Sequence, residues 1–162
     1  MPQAEITMHD ISAYTEILER FLSLMKESAP VSAVRVAPDK WTLAEMVGHL
    51  IDSASNNHQR FIRLQTGKSL QFPGYEAQSW SDVSKAGSYP FTALIELWIG
   101  YNRYLLHIIA HADAGAMNNV WETNQKKITL GELIEDYFRH ILIHEKLYRE
   151  RIDEIAAAGN GK

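Results

Sequence analysis

The sequence predicts an all-α protein: a single domain, 1-162, folded as a four-helix bundle. Long loops are expected between helices 2 and 3 and between helices 3 and 4. Three observations predict this. Apolar residues recur at i, i+3/i+4 in four long segments, and no segment alternates convincingly with the period of a strand. Two of those segments open on the same start signal, a capping box with a hydrophobic staple. The chain has 162 residues, 46% apolar and 22% charged, the size and composition of one globular domain with a real core. Four amphipathic helices in one domain pack as a bundle, and bundle sites are built from side chains on facing helices.

The first helix runs from about Asp10 to Glu27. Ile11, Tyr14, Leu18, Phe21, Leu22 and Met25 form its stripe, and Ala29-Pro30 stops it. The second starts at Trp41-Thr42-Leu43-Ala44-Glu45-Met46. Thr42 can accept from the Glu45 N–H while Glu45 reaches back to the Thr42 N–H, and Trp41 and Met46 staple the entry. It continues to Thr66 and ends at Gly67. The third begins near Ser88-Tyr89-Pro90, carries Phe91, Leu94, Ile95, Trp98, Leu105 and Ile109, and fades around Asp113–Gly115. The fourth repeats the start signal at Ile128-Thr129-Leu130-Gly131-Glu132-Leu133. It runs to about Ala157 and leaves 159–162 as a frayed tail. The connections 68–87, with Phe72-Pro73-Gly74-Tyr75 and Trp80, and 114–127, with Trp121, are long. Their aromatic residues suggest packed loops, and loops of such length often cover functional sites.

Composition excludes several chemistries. The chain has no cysteine, hence no disulfide, thiolate zinc site, iron–sulfur cluster or cysteine nucleophile. Sixteen basic against 20 acidic residues give a net charge of −4, which argues against a nucleic-acid partner. No apolar run approaches the ~20 residues needed to cross a bilayer. No signal peptide is visible, so the cytoplasm is the expected compartment.

The seven histidines include two pairs at i, i+4, each on one helix face. Helical wheels separate the pairs. With Phe91 at zero, His107 and His111 fall at roughly 160° and 200°, opposite the apolar stripe, and read as a surface pair. With Leu130 at zero, His140 and His144 fall at roughly −80° and −40°, on or beside the core stripe. Buried neutral imidazoles need partners, and a shared metal ion would supply them. The second helix offers a third ligand in His49, at roughly −120° from Leu43, at the head of a polar strip with Ser53, Asn56 and Arg60. Gly48 beside it costs ~1 kcal/mol against alanine in mid-helix, which points to close approach of another helix. His58 lies away from the strip and reads as structural; His9 has no identifiable partner. Spacing alone leaves a second reading open, three separate core-edge histidines satisfied by hydrogen bonds.

The run Lys40-Trp41-Thr42-Leu43-Ala44-Glu45-Met46-Val47-Gly48-His49-Leu50-Ile51-Asp52-Ser53, followed by Asn57-His58-Gln59-Arg60-Phe61, resembles the DinB-like/YfiT-like superfamily of metal-dependent enzymes. There, a Trp-(Ser/Thr)-x-x-Glu start leads to Gly-His-Leu, and a His-x-x-x-His follows near the C-terminus. Here that second motif is Asp136-Tyr137-Phe138-Arg139-His140-Ile141-Leu142-Ile143-His144. The resemblance covers nearly the whole chain. It implies an up-down-down-up bundle and a divalent metal ion, nickel or zinc, held by three histidines that map onto His49, His140 and His144.

Three imidazoles would leave an ion with an open position, as in catalytic sites. Such an ion can lower the pKa of bound water or activate a thiolate. The resemblance implies transfer of a low-molecular-weight thiol such as bacillithiol or mycothiol to an electrophilic small molecule. Asn56, Arg60 and Ser53 would contact the substrate. Asp52 and Asp136 would stand behind the metal ligands and orient an imidazole. A metal-dependent hydrolase using bound water, and a non-catalytic metal- or small-molecule-binding stress protein, are the other classes. A homodimer is expected, as is common among such bundles. Trp98, Tyr101 and Trp121 read as core aromatics.

Overall fold

Residues 10–161 are described in a computed structural model; His9 lies outside them. The chain runs α1 (Ile11–Glu27), α2 (Leu43–Thr66), β1 (Ser69–Gln71), α3 (Ala77–Ser84), α4 (Phe91–Ala110), β2 (Val120–Glu122), β3 (Lys127–Thr129) and α5 (Leu130–Gly159). The four long helices are the four predicted. Their starts follow the local chemistry. Asp10 caps α1 by accepting from the Ala13 N–H at 3.0 Å. At α2, the Glu45 N–H donates to Thr42 Oγ1 at 3.2 Å and the Thr42 N–H donates to Glu45 Oε2 at 2.8 Å. Thr129 and Glu132 make the same reciprocal pair at α5, at 3.2 and 2.9 Å.

Two expectations are corrected. The connection 68–87 is not a plain loop: it holds a strand and the short helix α3. A three-stranded sheet is also present, ordered β1-β2-β3, with β1 and β2 parallel and β2 and β3 antiparallel. Each strand has three residues, too few for an alternating pattern to register. None of the α3 side chains is fully buried, so α3 has no apolar stripe to read.

Packed pairs give the direction of every long helix. Tyr14 stacks on Phe138 with ring centroids 3.7 Å apart, Arg20 pairs with Glu145, and the Ser28 and Tyr148 hydroxyls are hydrogen-bonded. Both sequences ascend together, so α1 and α5 are parallel. Phe21 against Trp98 and Glu19 against Arg103 make α1 and α4 antiparallel. Phe61 against Tyr137, His49 against His144, and the Trp41 carbonyl accepting from Arg151 make α2 and α5 antiparallel. The bundle is therefore up-down-down-up. The parallel β1–β2 pair lies where α2 and α4 both end, and the connection through α3 carries the chain back to start α4.

The core lies between these helices. Phe21, Met25, Leu43, Val47, Phe61, Trp98, Leu105, Leu130 and Tyr148 are all buried in it. Phe21 meets Trp98 and Tyr148 edge-on, each at 5.3 Å, a favoured aromatic geometry. Gly48 answers to a close approach, but not of a long helix. A Cβ at that position would sit 2.4 Å from the Cβ of Ala86, in the single turn just before α4.

Candidate metal centre

α2 and α5 run antiparallel and in contact, which brings His49 from one against His140 and His144 from the other. His140 and His144 are one turn apart on α5, with rings 4.3 Å centroid to centroid. His49 faces both, at 5.3 Å from His140 and 4.7 Å from His144. The Nε2 atoms of His49 and His140 are 3.4 Å apart. One ring nitrogen from each of the three lies within 4.8 Å of the others. His49 is 7% exposed; the other two are half-buried.

Burial dominates the electrostatics. It lowers His49 to about 4, with the neighbouring His140 adding to the effect. It lowers His144 to about 3, with His140 and His49 adding. His140 is lowered by burial as well. All three are neutral near pH 7, the form that ligates metals. The Nδ1 atoms of His49 and His144 are buried without a hydrogen-bond partner among the described residues. Such unpaired groups cost free energy, and a cluster of imidazoles with unspent nitrogens fits a divalent ion.

The surroundings are built by the long connections. Trp41, before α2, lies 5.3 Å from the His49 ring. Its indole N–H donates to Gln78 Oε1 of α3 at 3.1 Å. Tyr75 reaches within 6.5 Å of His49 and packs on Trp80 at 5.0 Å. Trp121 of β2 donates its indole N–H to the Phe72 carbonyl at 2.8 Å, which ties the sheet to the loop. A cavity of about 300 Å³ opens beside His140, lined by Ser53, Asn57, Arg60, Tyr75, Trp121 and Asp136 among others.

The remaining predicted site residues are placed as follows. Ser53 and Arg60 line this cavity. Asn56 is buried, donates its amide to the Asp52 carbonyl at 2.9 Å, and does not line it; its neighbour Asn57 does. Asp52 is half-buried and raised to about 6 by desolvation. Asp136 is exposed and pairs with Arg139. Neither aspartate makes a hydrogen bond to a cluster imidazole among the described residues. Sequence reasoning missed Tyr75 and Asn57 at this place. The signal for Tyr75 was its position in a long aromatic loop. Asn57 carried only a wheel position between the polar strip and the core. Trp121, read as a core aromatic, is buried but also forms a cavity wall. His58 Nδ1 lies 2.8 Å from the Tyr101 hydroxyl. His107 and His111 are exposed, as the wheel places them.

The DinB superfamily model matches residues 13–153. Among solved structures the chain is similar to YfiT from Bacillus subtilis, described as a probable metal-dependent hydrolase with an unusual four-helix bundle topology. The TM-score is 0.67 at 18% identity, over 88% of this chain and 87% of that one. It is also similar to a mycothiol-dependent maleylpyruvate isomerase, with a TM-score of 0.65 at 17% identity over 90% of this chain. It spans 59% of that protein's length. No curated protein matches the chain. The two structural likenesses share the fold, and the family match extends over most of the chain: it belongs to the DinB superfamily.

Proposed function

We propose that this chain is a divalent-metal enzyme that transfers a low-molecular-weight thiol to an electrophilic small molecule. The observation that carries the reading is the cluster of His49, His140 and His144, three neutral imidazoles from two helices with ligand atoms within 4.8 Å of one another. These residues would hold the ion, nickel or zinc. When bound, such an ion supplies a Lewis acid that favours the ionised form of a coordinated thiol or water. The chain's own residues do the rest. Ser53 and Arg60, which line the cavity, would hold the substrate, with Asn57 in the place expected of Asn56. Asp52, three positions along α2 from His49, would stand behind that ligand and help orient its imidazole. Asp136, one turn before His140, would do the same for the His140 imidazole. The sulfur must come from the co-substrate, because the chain has no cysteine. A cytoplasmic setting would keep that thiol reduced. Among the described residues no helix is long and apolar enough to cross a membrane.

A second reading, hydrolysis by an activated water, is favoured by the likeness to a protein described as a probable metal-dependent hydrolase. One assay separates the two. Metal-loaded protein is given bacillithiol or mycothiol with monochlorobimane, and in parallel a panel of ester and amide substrates. Metal-dependent loss of thiol is expected. Ester or amide cleavage with no thiol consumed would assign the hydrolase instead. The homodimer expected for such bundles is checked by analytical ultracentrifugation.

A further inference from the structure

Arg60 is 7% exposed, yet no Asp or Glu lies within ion-pair distance of it among the described residues. Its guanidinium carbon sits 4.0 Å above the Trp121 ring. Its one hydrogen bond among the described residues is a long one, 3.5 Å to Asn57 Oδ1. Its Nε is buried with no hydrogen-bond partner among the described residues. A guanidinium has five N–H donors and cannot shed its charge in a protein. Burying it unpaired is costly, and arginines in such positions are ordinarily matched to a carboxylate or phosphate. Here no such match is present among the described residues.

The space beside it is open. The cavity next to His140 and a second one of about 920 Å³ share Arg60, Tyr75, Trp121 and Lys126 in their walls. Lys126 adds a second positive charge to both cavities, accompanied by Glu122 in the larger and Asp136 in the smaller. Burial raises the Tyr75 hydroxyl above its ordinary 10, and the nearby Arg60 guanidinium offsets part of that rise. Arg60 is eleven positions along α2 from His49, a rise of about 16 Å along the helix axis. The Arg60 side chain leans back toward the start of α2, and it lines the same cavity as His140, so a small molecule held there can meet the histidines at one end and the guanidinium at the other.

We propose that Arg60, stacked on Trp121 and flanked by Asn57 and Tyr75, anchors a carboxylate, and that the small molecule acted on carries this carboxylate at an end other than its reacting atom. A planar carboxylate accepts two parallel N–H bonds from a guanidinium fork. The anchor stands on the unpaired Arg60 alone; only the phrase "reacting atom" rests on the histidine cluster being the reaction centre.

The test is calorimetric titration of chelator-treated protein, so that no metal contributes. The probes are glutarate, its uncharged diamide, and inorganic phosphate. Glutarate is expected to bind at least tenfold more tightly than the diamide. Arg60→Met, which keeps an apolar stem over Trp121, should lose that preference, and Arg60→Lys should keep only part of it. His144→Ala, at a residue that lines neither cavity, should leave glutarate binding unchanged while abolishing metal uptake, so failure of the anchor and failure of the metal reading show separately. Equal binding of glutarate and its diamide, or no binding of either, overturns the proposal. So does an unaltered preference in Arg60→Met. Tighter binding of phosphate than glutarate overturns the carboxylate assignment. If Arg60→Met does not fold, the wild-type preference and Arg60→Lys decide.

Discussion

Burial keeps the three clustered imidazoles uncharged, and this has a measurable consequence for stability. His49 at about 4 and His144 at about 3 lie well below the ordinary 6.5. Between those values the unfolded chain binds more protons than the folded one, so stability falls as pH falls from about 6.5. Asp52 has the opposite sign. Its carboxyl is raised from 3.8 to about 6, so the folded state gains stability from it as pH falls through that range. Three histidines against one aspartate predict that the melting temperature of the metal-free protein drops between pH 7 and pH 5. His144→Ala should make the drop shallower. A flat or rising profile in the wild type would refute this. A second residue-level test concerns Tyr137. Its buried hydroxyl donates to Asn102 Oδ1 at 2.6 Å, and the Asn102 amide donates to the Trp98 carbonyl. Tyr137→Phe leaves that buried oxygen unpaired and should cost about 1–3 kcal/mol in urea unfolding. At this scale the wheel separated clustered from surface histidines, because position relative to a stripe is a local property. It could not show that Asn57 and Tyr75 share a cavity wall. That contact depends on how the 68–87 connection folds back, and no local pattern encodes it.

At the scale of elements, Gly48 offers the sharpest test. Alanine in an exposed mid-helix position would stabilise by about 1 kcal/mol over glycine. Here the new Cβ would meet Ala86 Cβ at 2.4 Å, so the turn before α4 would have to move. Gly48→Ala should therefore lower the denaturation midpoint, and adding Ala86→Gly should restore much of the loss. An increase in midpoint for the single variant would show that the turn yields freely. The two capping boxes make a plainer prediction. Thr42→Ala and Thr129→Ala should each cost about 1 kcal/mol, measured by the same unfolding experiment. Caps, stripes and stops were legible because each is written within a few residues. α3 and the sheet were not: α3 buries no side chain fully, and β1 pairs with a strand some fifty positions away.

At the scale of the molecule, the bundle assembles its site without using the site for its core. The buried cluster from Phe21 through Tyr148 holds all four long helices, while the histidines sit at its edge between α2 and α5. Their removal should leave the fold in place. Binding of an ion to the folded state alone should raise the melting temperature in proportion to the logarithm of ion concentration above Kd. The up-down-down-up course follows from an element too weak to predict: α3 and its flanking segments form the crossover that lets α2 and α4 run parallel. The central claim is that His49, His140 and His144 form one divalent-metal site while His107 and His111 form none. It is tested most directly by elemental analysis of wild type, His140→Ala and His107→Ala, each with helical circular dichroism intact. About one divalent ion per chain, as a three-histidine site would hold, is expected in the wild type and in His107→Ala, and essentially none in His140→Ala. Wild-type metal content in His140→Ala, or its loss in His107→Ala, would contradict the account.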